Sequence, residues 1–122
     1  MIEVALVFAK DGSTLLWHDP TGRSSGYIPD SKELWDFLVA NRDQIGGIAH
    51  THPWEGEAWF SKTDVTTWSA LERGLGIRWV WPVVTFTEVK NYKWIGPGKF
   101  DYGLSDSCPP VDVIGLRERS KL

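Results

Sequence analysis

Apolar and polar residues alternate along two segments near the start of the chain, residues 2–8 and 13–17. A period of two is typical of strands, and the run Lys10-Asp11-Gly12 between the segments favours a turn. The pattern therefore predicts a pair of neighbouring strands. In the first strand one charged residue, Glu3, shares a face with small or apolar side chains, those of Ala5, Val7 and Ala9.

Two later segments have the helical period instead. The first helix is predicted to begin near residue 30, where Asp30 can act as the cap and Glu33 can complete a capping box. Its apolar stripe consists of Leu34, Trp35, Leu38 and Val39. The second helix is predicted to begin at Ser61 and to end at Gly74, and its apolar face consists of Val65, Trp68 and Leu71.

Further strands are predicted over residues 44–50, 77–86 and 91–95, and loops over residues 18–26 and 53–60. Helices interleaved with strands indicate an α/β or α+β fold, a layered domain in which helices flank a mixed sheet. We expect a single domain over residues 1–122, with its core in about residues 1–98. The pattern from residue 99 onward is weak and favours a loosely packed tail.

Composition narrows the classes of protein that remain. The formal net charge of -3 leaves no basic stripe, so a nucleic-acid partner is not expected. The single cysteine, Cys108, excludes a disulfide within the chain and a cysteine-based zinc site. We find neither an apolar run long enough to span a membrane nor a signal-peptide pattern, so the expected location is cytoplasmic. Eight tryptophans exceed what a small core holds, which favours an aromatic cleft, an exposed surface or a homodimer.

The candidate chemistry lies in His50-Thr51-His52-Pro53 and in the Ser61-Lys62-Thr63-Asp64 run that follows. In an extended chain His50 and His52 point the same way, with Cα atoms about 7 Å apart. Ser-x-x-Asp is typical of a helix start and places Asp64 in the first turn. A catalytic zinc is typically bound by three protein ligands, such as two histidines and a carboxylate, and its fourth position stays open for water or substrate. We therefore predict one Zn²⁺ per chain, bound by His50, His52 and Asp64.

The catalytic partners of such a metal are less certain from the sequence. Glu3 is the leading candidate for the general base, and Glu55 and Glu57 are its rivals because they lie between the ligand pairs. Ser61 has two interpretations: its hydroxyl caps the helix, or it faces the metal and stabilises an oxyanion.

Other aromatic and reactive residues have structural and functional interpretations. Trp54 and Trp59 form a substrate-binding rim or pack the loop onto the second helix, and the sequence does not separate the two. Trp79 and Trp81 lie on one face of a strand and favour core or interface packing. His18 is expected at the surface, beside Asp19 in a turn, and Cys108 lacks the setting of a nucleophile.

The order of these motifs resembles the signature of the JAMM (JAB/MPN) metalloprotease family. That signature consists of an upstream glutamate, His-x-His-Pro, a short loop and Ser-x-x-Asp. The resemblance runs from about Glu3 to Ile95. It implies an α-β-α sandwich of the cytidine-deaminase-like type and a zinc-dependent metallopeptidase or isopeptidase. It also implies that Glu3 is the general base and that Ser61 assists the oxyanion. The implied substrate is a protein or peptide, including the tail of a ubiquitin-like or sulfur-carrier protein.

Two other functions stay open. One is a catalytically inactive protein-binding module on the same fold, as some members of that family are. The other is a zinc hydrolase similar to the RadC branch, which has been associated with DNA; the acidic charge balance disfavours it.

Overall fold

The computed structural model describes residues 1–19 and 31–121 of the chain, and these form one six-stranded mixed sheet with three helices. The strands run in the order β2-β1-β3-β4-β5-β6, and β3 and β4 are the parallel pair. The strands are β1 (Ala5–Ala9), β2 (Thr14–His18), β3 (Ile45–Thr51), β4 (Trp81–Val84), β5 (Val89–Trp94) and β6 (Tyr102–Leu104), and the helices are α1 (Lys32–Asn41), α2 (Lys62–Leu75) and α3 (Val113–Ser120).

The alternating side chains of the sheet build a core on each of its faces. On one face Val7 and Ile48 belong to a cluster with Leu38 of α1 and Trp68 of α2. On the other face a second cluster joins the sheet to α3 through Leu116; its other buried members are Val4, Leu6, Phe8, Ala49 and Val84. The expected mixed sheet with flanking helices is therefore present, with α1 and α2 on one side and α3 on the other.

The first helix differs from its prediction in its cap and in its buried face. Ser31 is the N-cap, and its hydroxyl accepts a hydrogen bond from the backbone N–H of Leu34, while the proposed cap Asp30 lies outside the described residues. Only Leu38 of the predicted stripe is fully buried, while Leu34 is half-buried and Trp35 and Val39 are exposed.

The second helix and the strand after it also have different ends. Helix α2 continues through Gly74 and ends at Gly76, whose left-handed backbone (φ 67°) lets its N–H reach the carbonyl of Glu72. The predicted strand 77–86 is shortened to Trp81–Val84. It starts late because the backbone N–H of Trp79 bonds the Glu72 carboxylate, and it stops early because Thr85 begins a turn to Glu88.

The prediction of a loosely packed tail is wrong. Residues 102–104 extend the sheet as β6, and α3 closes its second face with Leu116 and Ser120 fully buried. Only one apolar side chain per turn of this short helix reaches the core. The apolar residues of α3 therefore do not form a helical pattern that the sequence alone would reveal.

Candidate metal centre

The two histidines lie at the end of the central strand β3, where pairing on both sides holds the backbone extended. His50 pairs with Ala5 of β1 and with Val83 of β4. Beyond the strand, the N–H of His52 still donates to the carbonyl of Val84 at 2.9 Å. The side chains of His50 and His52 therefore project from one face of the sheet, as the sequence predicts.

Asp64 reaches the histidines from the first turn of α2, where a reciprocal capping box holds it. Its backbone N–H donates to the Ser61 hydroxyl at 3.0 Å, and its Oδ2 accepts from the Ser61 backbone N–H at 2.8 Å. A short polar side chain in this box has little rotational freedom. The helix start thus aims the Asp64 carboxylate at the end of β3.

The three side chains meet with nearly equal separations. The Nε2 atoms of His50 and His52 lie 3.0 Å apart. Asp64 Oδ1 is 3.2 Å from His50 Nε2, and Asp64 Oδ2 is 3.1 Å from His52 Nε2. Donor atoms of all three residues lie within 4.8 Å of one another, so this group could hold a metal ion.

Electrostatics favour an ionised carboxylate at this point. Burial alone would raise the pKa of Asp64, but hydrogen bonds from His50 and His52 and from the Ser61 backbone hold that pKa well below its usual range. Asp64 is therefore ready to act as an anionic ligand at any physiological pH.

Ser61 acts as the cap, and this leaves its second role open. A hydroxyl has one donor hydrogen and two acceptor positions, and the hydrogen bond from the Asp64 backbone uses one acceptor position. Ser61 also lines the cavity that contains the histidines. The two interpretations of Ser61 are therefore compatible with each other.

Glu3 lies next to the cluster, two positions before β1 begins. The Thr51 backbone donates to the Val4 carbonyl at 3.0 Å, and the Val4 N–H donates to the Thr51 hydroxyl at 2.9 Å. These bonds extend the β1–β3 register and place Glu3 opposite His52. Burial raises the pKa of Glu3 to about 7, and the nearby Asp64 charge adds to this rise while His52 opposes it.

The rivals of Glu3 lie elsewhere. Glu55 and Glu57 are exposed and do not line the cavity. The carboxylate of Glu57 instead accepts a hydrogen bond from the indole of Trp59. Of the three glutamates considered, Glu3 is the one that the fold brings to the cluster.

One cavity of about 730 Å³ contains the cluster and extends between α1 and α2 over the sheet. Trp54 stands at its mouth, with its ring 4.5 Å from that of His52 and tilted by 31°. Trp59 points away and places its ring 3.9 Å from the Lys90 ammonium. Thus Trp54 lies at the rim and Trp59 does not line the cavity, while Trp79 and Trp81 are buried in the core as predicted.

The prediction of a surface position for His18 is wrong. His18 is only 8% exposed and lines the same cavity. It pairs with Ala5, which pairs on its other side with His50, so both imidazoles share a sheet face with a small residue between them. The signal was available: His18 follows Leu16 at strand spacing, on a face that packs inward.

Cys108 is half-buried, and its thiol lies 3.3 Å from the carbonyl of Pro109. Burial raises the pKa of the thiol, which keeps it protonated and argues against a nucleophile.

Comparisons with known proteins leave the chain unassigned: no family model matches it, and no curated protein matches it either. Within residues 1–19 and 31–121, no helix has the length and the apolar character needed to cross a bilayer.

Proposed function

We propose that this chain is a zinc-dependent hydrolase of peptide or isopeptide bonds with a JAB/MPN-like, cytidine-deaminase-like α-β-α sandwich. One observation carries the proposal: His50, His52 and Asp64 converge in a cavity that Glu3 also lines. The resemblance to the JAMM signature and the helices on both faces of the sheet support the family assignment. The cavity and the cluster support an enzyme rather than a purely structural domain.

The spacing of the ligand atoms suits zinc. Zinc binds nitrogen and carboxylate oxygen at about 2.0–2.2 Å, which in a tetrahedron gives ligand atoms about 3.3–3.6 Å apart. The Nε2 atoms of His50 and His52 are 3.0 Å apart, close to that spacing, and they lie 3.2 and 3.1 Å from different oxygens of Asp64, so the three side chains are near enough to share one ion. His50, His52 and Asp64 would hold the zinc, and the cavity beside them would give a substrate access to it.

The proposed chemistry divides between the metal and the chain. A zinc ion held by these residues would lower the pKa of a bound water molecule to about 7 and would polarise a carbonyl. Glu3, which lines the cavity beside the cluster, would take the proton of the attacking water and deliver it to the leaving amine. The Ser61 hydroxyl donates its hydrogen to the developing oxyanion.

The substrate we propose is a protein or peptide, with the tail of a ubiquitin-like or sulfur-carrier protein as one candidate. The net charge of -3 supports a protein rather than a nucleic acid as partner. We also propose a cytoplasmic location, which the single free cysteine supports. A homodimer is a further part of the proposal.

The metal content of the purified, untagged chain, measured by plasma mass spectrometry, tests this function first. We expect about one zinc per chain, lost on treatment with a chelator and in Asp64→Ala. Glu3→Gln is the matched variant: it should keep the zinc and lose cleavage of peptide and ubiquitin-like fusion substrates. Failure of the wild type to bind zinc after incubation with excess metal would contradict the proposal.

A protein-binding module is the second candidate, because Trp54 at the cavity rim is 46% exposed and Trp59, outside the cavity, is 52% exposed. Exposed aromatics of this kind are common anchors at interfaces. Partner binding by a metal-free Asp64→Ala variant, with no turnover by the wild type, would favour this function over hydrolysis.

A further inference from the structure

The cavity is a wedge between α1 and α2 that is closed at one end. Trp35 of α1 lies against Gly74 of α2 so closely that a Cβ on Gly74 would be 3.3 Å from the indole ring. Nearby, the Arg42 guanidinium donates to the carbonyl of Leu75 at 3.0 Å. The two helices therefore meet near the end of α2, and the space between them opens toward the start of α2.

The metal cluster lies at the open end of this wedge. Asp64, Trp68 and Leu71 line the cavity and follow one another at helical spacing, so they face it from successive turns of α2. At about 1.5 Å per residue, Leu71 lies about 10 Å further along the helix than Asp64. The cavity thus continues well past the ligands into the fold.

The part of the cavity between the two helices is mostly apolar. Besides Trp68 and Leu71, its lining includes Leu34, Trp35 and Leu38 of α1 and Ile48 of β3, with Ser31 and Thr67 as its polar members. Leu34 and Leu71 are half-buried and line the cavity from α1 and α2, so both side chains can contact a ligand. A mostly apolar wall beside a reactive centre favours an apolar side chain over a charged group.

We infer that the inner half of the cavity is a specificity pocket for a large apolar side chain, such as leucine or phenylalanine, next to the scissile bond. The inference rests on the proposed hydrolase function, because it takes the metal cluster as the place where the carbonyl binds. It refines the substrate class: a tail that presents only glycine beside the scissile bond leaves the pocket unfilled. Burial of a large apolar side chain there should favour such a substrate by about 10- to 100-fold.

The experiment compares two zinc-binding probes on the zinc-loaded full chain by calorimetry. Acetohydroxamate carries only a methyl group, whereas 3-phenylpropionohydroxamate can place a ring in the pocket. We expect the second probe to bind about 10- to 100-fold more tightly. Leu34→Trp, which fills the pocket, should remove this difference and leave acetohydroxamate binding unchanged. Val39→Trp is the matched control, since Val39 is an exposed residue of α1 that does not line the cavity.

Leu71→Asn tests the opposite wall and keeps the inference falsifiable if Leu34→Trp does not fold, as judged by its circular dichroism. It should weaken the phenyl probe alone. Equal affinity of the two probes for the wild type overturns the pocket and leaves the proposed hydrolase standing. A difference that persists in both folded variants also overturns it. Binding of neither probe to protein that retains zinc overturns the proposed hydrolase together with the pocket.

Discussion

Helix α2 carries one fully buried and one partly buried carboxylate, and the surroundings of the two differ in kind. Glu72, near the end of the helix, is 1% exposed and accepts hydrogen bonds from the Trp79 backbone, the Trp81 indole, the Arg78 guanidinium and the Tyr102 hydroxyl. Asp64, at the start of the helix, faces two imidazoles and an open cavity. The partners of Glu72 are a backbone N–H, an indole, a guanidinium and a phenol, none of which is a usual zinc ligand, whereas the main partners of Asp64 are imidazoles, which are.

This contrast shows how a structural carboxylate is distinguished from a functional one. Glu72 joins α2 to β4 and β6, and its hydrogen-bonding capacity is used within the core. In the Asp64 cluster, by contrast, His52 Nδ1 is buried without a hydrogen-bond partner among the described residues. A buried polar group without such a partner costs stability.

The largest expected effect is on stability, and it comes from removing the Glu72 carboxylate. Glu72→Ala leaves several buried donors and the Arg78 charge without their acceptor, so we expect the free energy of unfolding to fall by about 3–5 kcal/mol. Urea denaturation of the metal-free proteins measures this. Asp64→Asn is the matched control on the same helix, and it should abolish zinc binding at a much smaller loss of stability. Equal losses in the two variants would contradict the distinction between the carboxylates.

A smaller effect concerns Glu3 in the metal-free protein. Its pKa rises from 4.5 to about 7 on folding, mainly because burial disfavours the charged form. The protonated carboxyl therefore contributes stability below about pH 4.5, and this contribution is lost as the pH rises toward 7. We expect Glu3→Gln to be about 1–2 kcal/mol more stable than the wild type at pH 8, a value reduced by solvent at the cavity mouth.

The measurement is urea denaturation of wild type and Glu3→Gln in the presence of a chelator, from pH 4.5 to 8. The advantage of Glu3→Gln should shrink steadily as the pH falls. A constant difference over this range would mean that Glu3 is already solvated in the folded protein. Glu55→Gln serves as the exposed control and should match the wild type throughout.

The smallest expected effect is on zinc affinity and concerns the contact between His52 and Trp54. Its Nδ1 has no partner within the described part of the chain, so the Trp54 ring, 4.5 Å away, is the contact that orients the imidazole from outside. We expect Trp54→Ala to lower zinc affinity by about 2- to 10-fold, the range of a ring-stacking contact. Trp54→Phe should retain most of the zinc affinity. Chelator competition measures it, with Trp59→Ala as the unaffected control; an equal loss in both would exclude the stacking role.

Local patterns predicted a good part of the site. The alternation of His50 and His52 depends only on an extended backbone, and the approach of Asp64 depends on a capping box that four consecutive residues complete. The strands β1, β2 and β3 and both larger helices were predicted within a few residues. Each of these features is set by neighbours in sequence, which is why a single sequence reveals them.

Only the tertiary structure decided where Glu3, His18 and the last 20 or so residues lie. Glu3 faces His52 because Val4 bonds Thr51, 47 residues away, and because Ser120 of α3 bonds both the Thr51 hydroxyl and the backbone of Ile2. His18 joins the cavity through the register of β2 on β1. Pairing across such separations depends on which faces of sheet and helix can be buried together, and no short stretch of sequence contains that information.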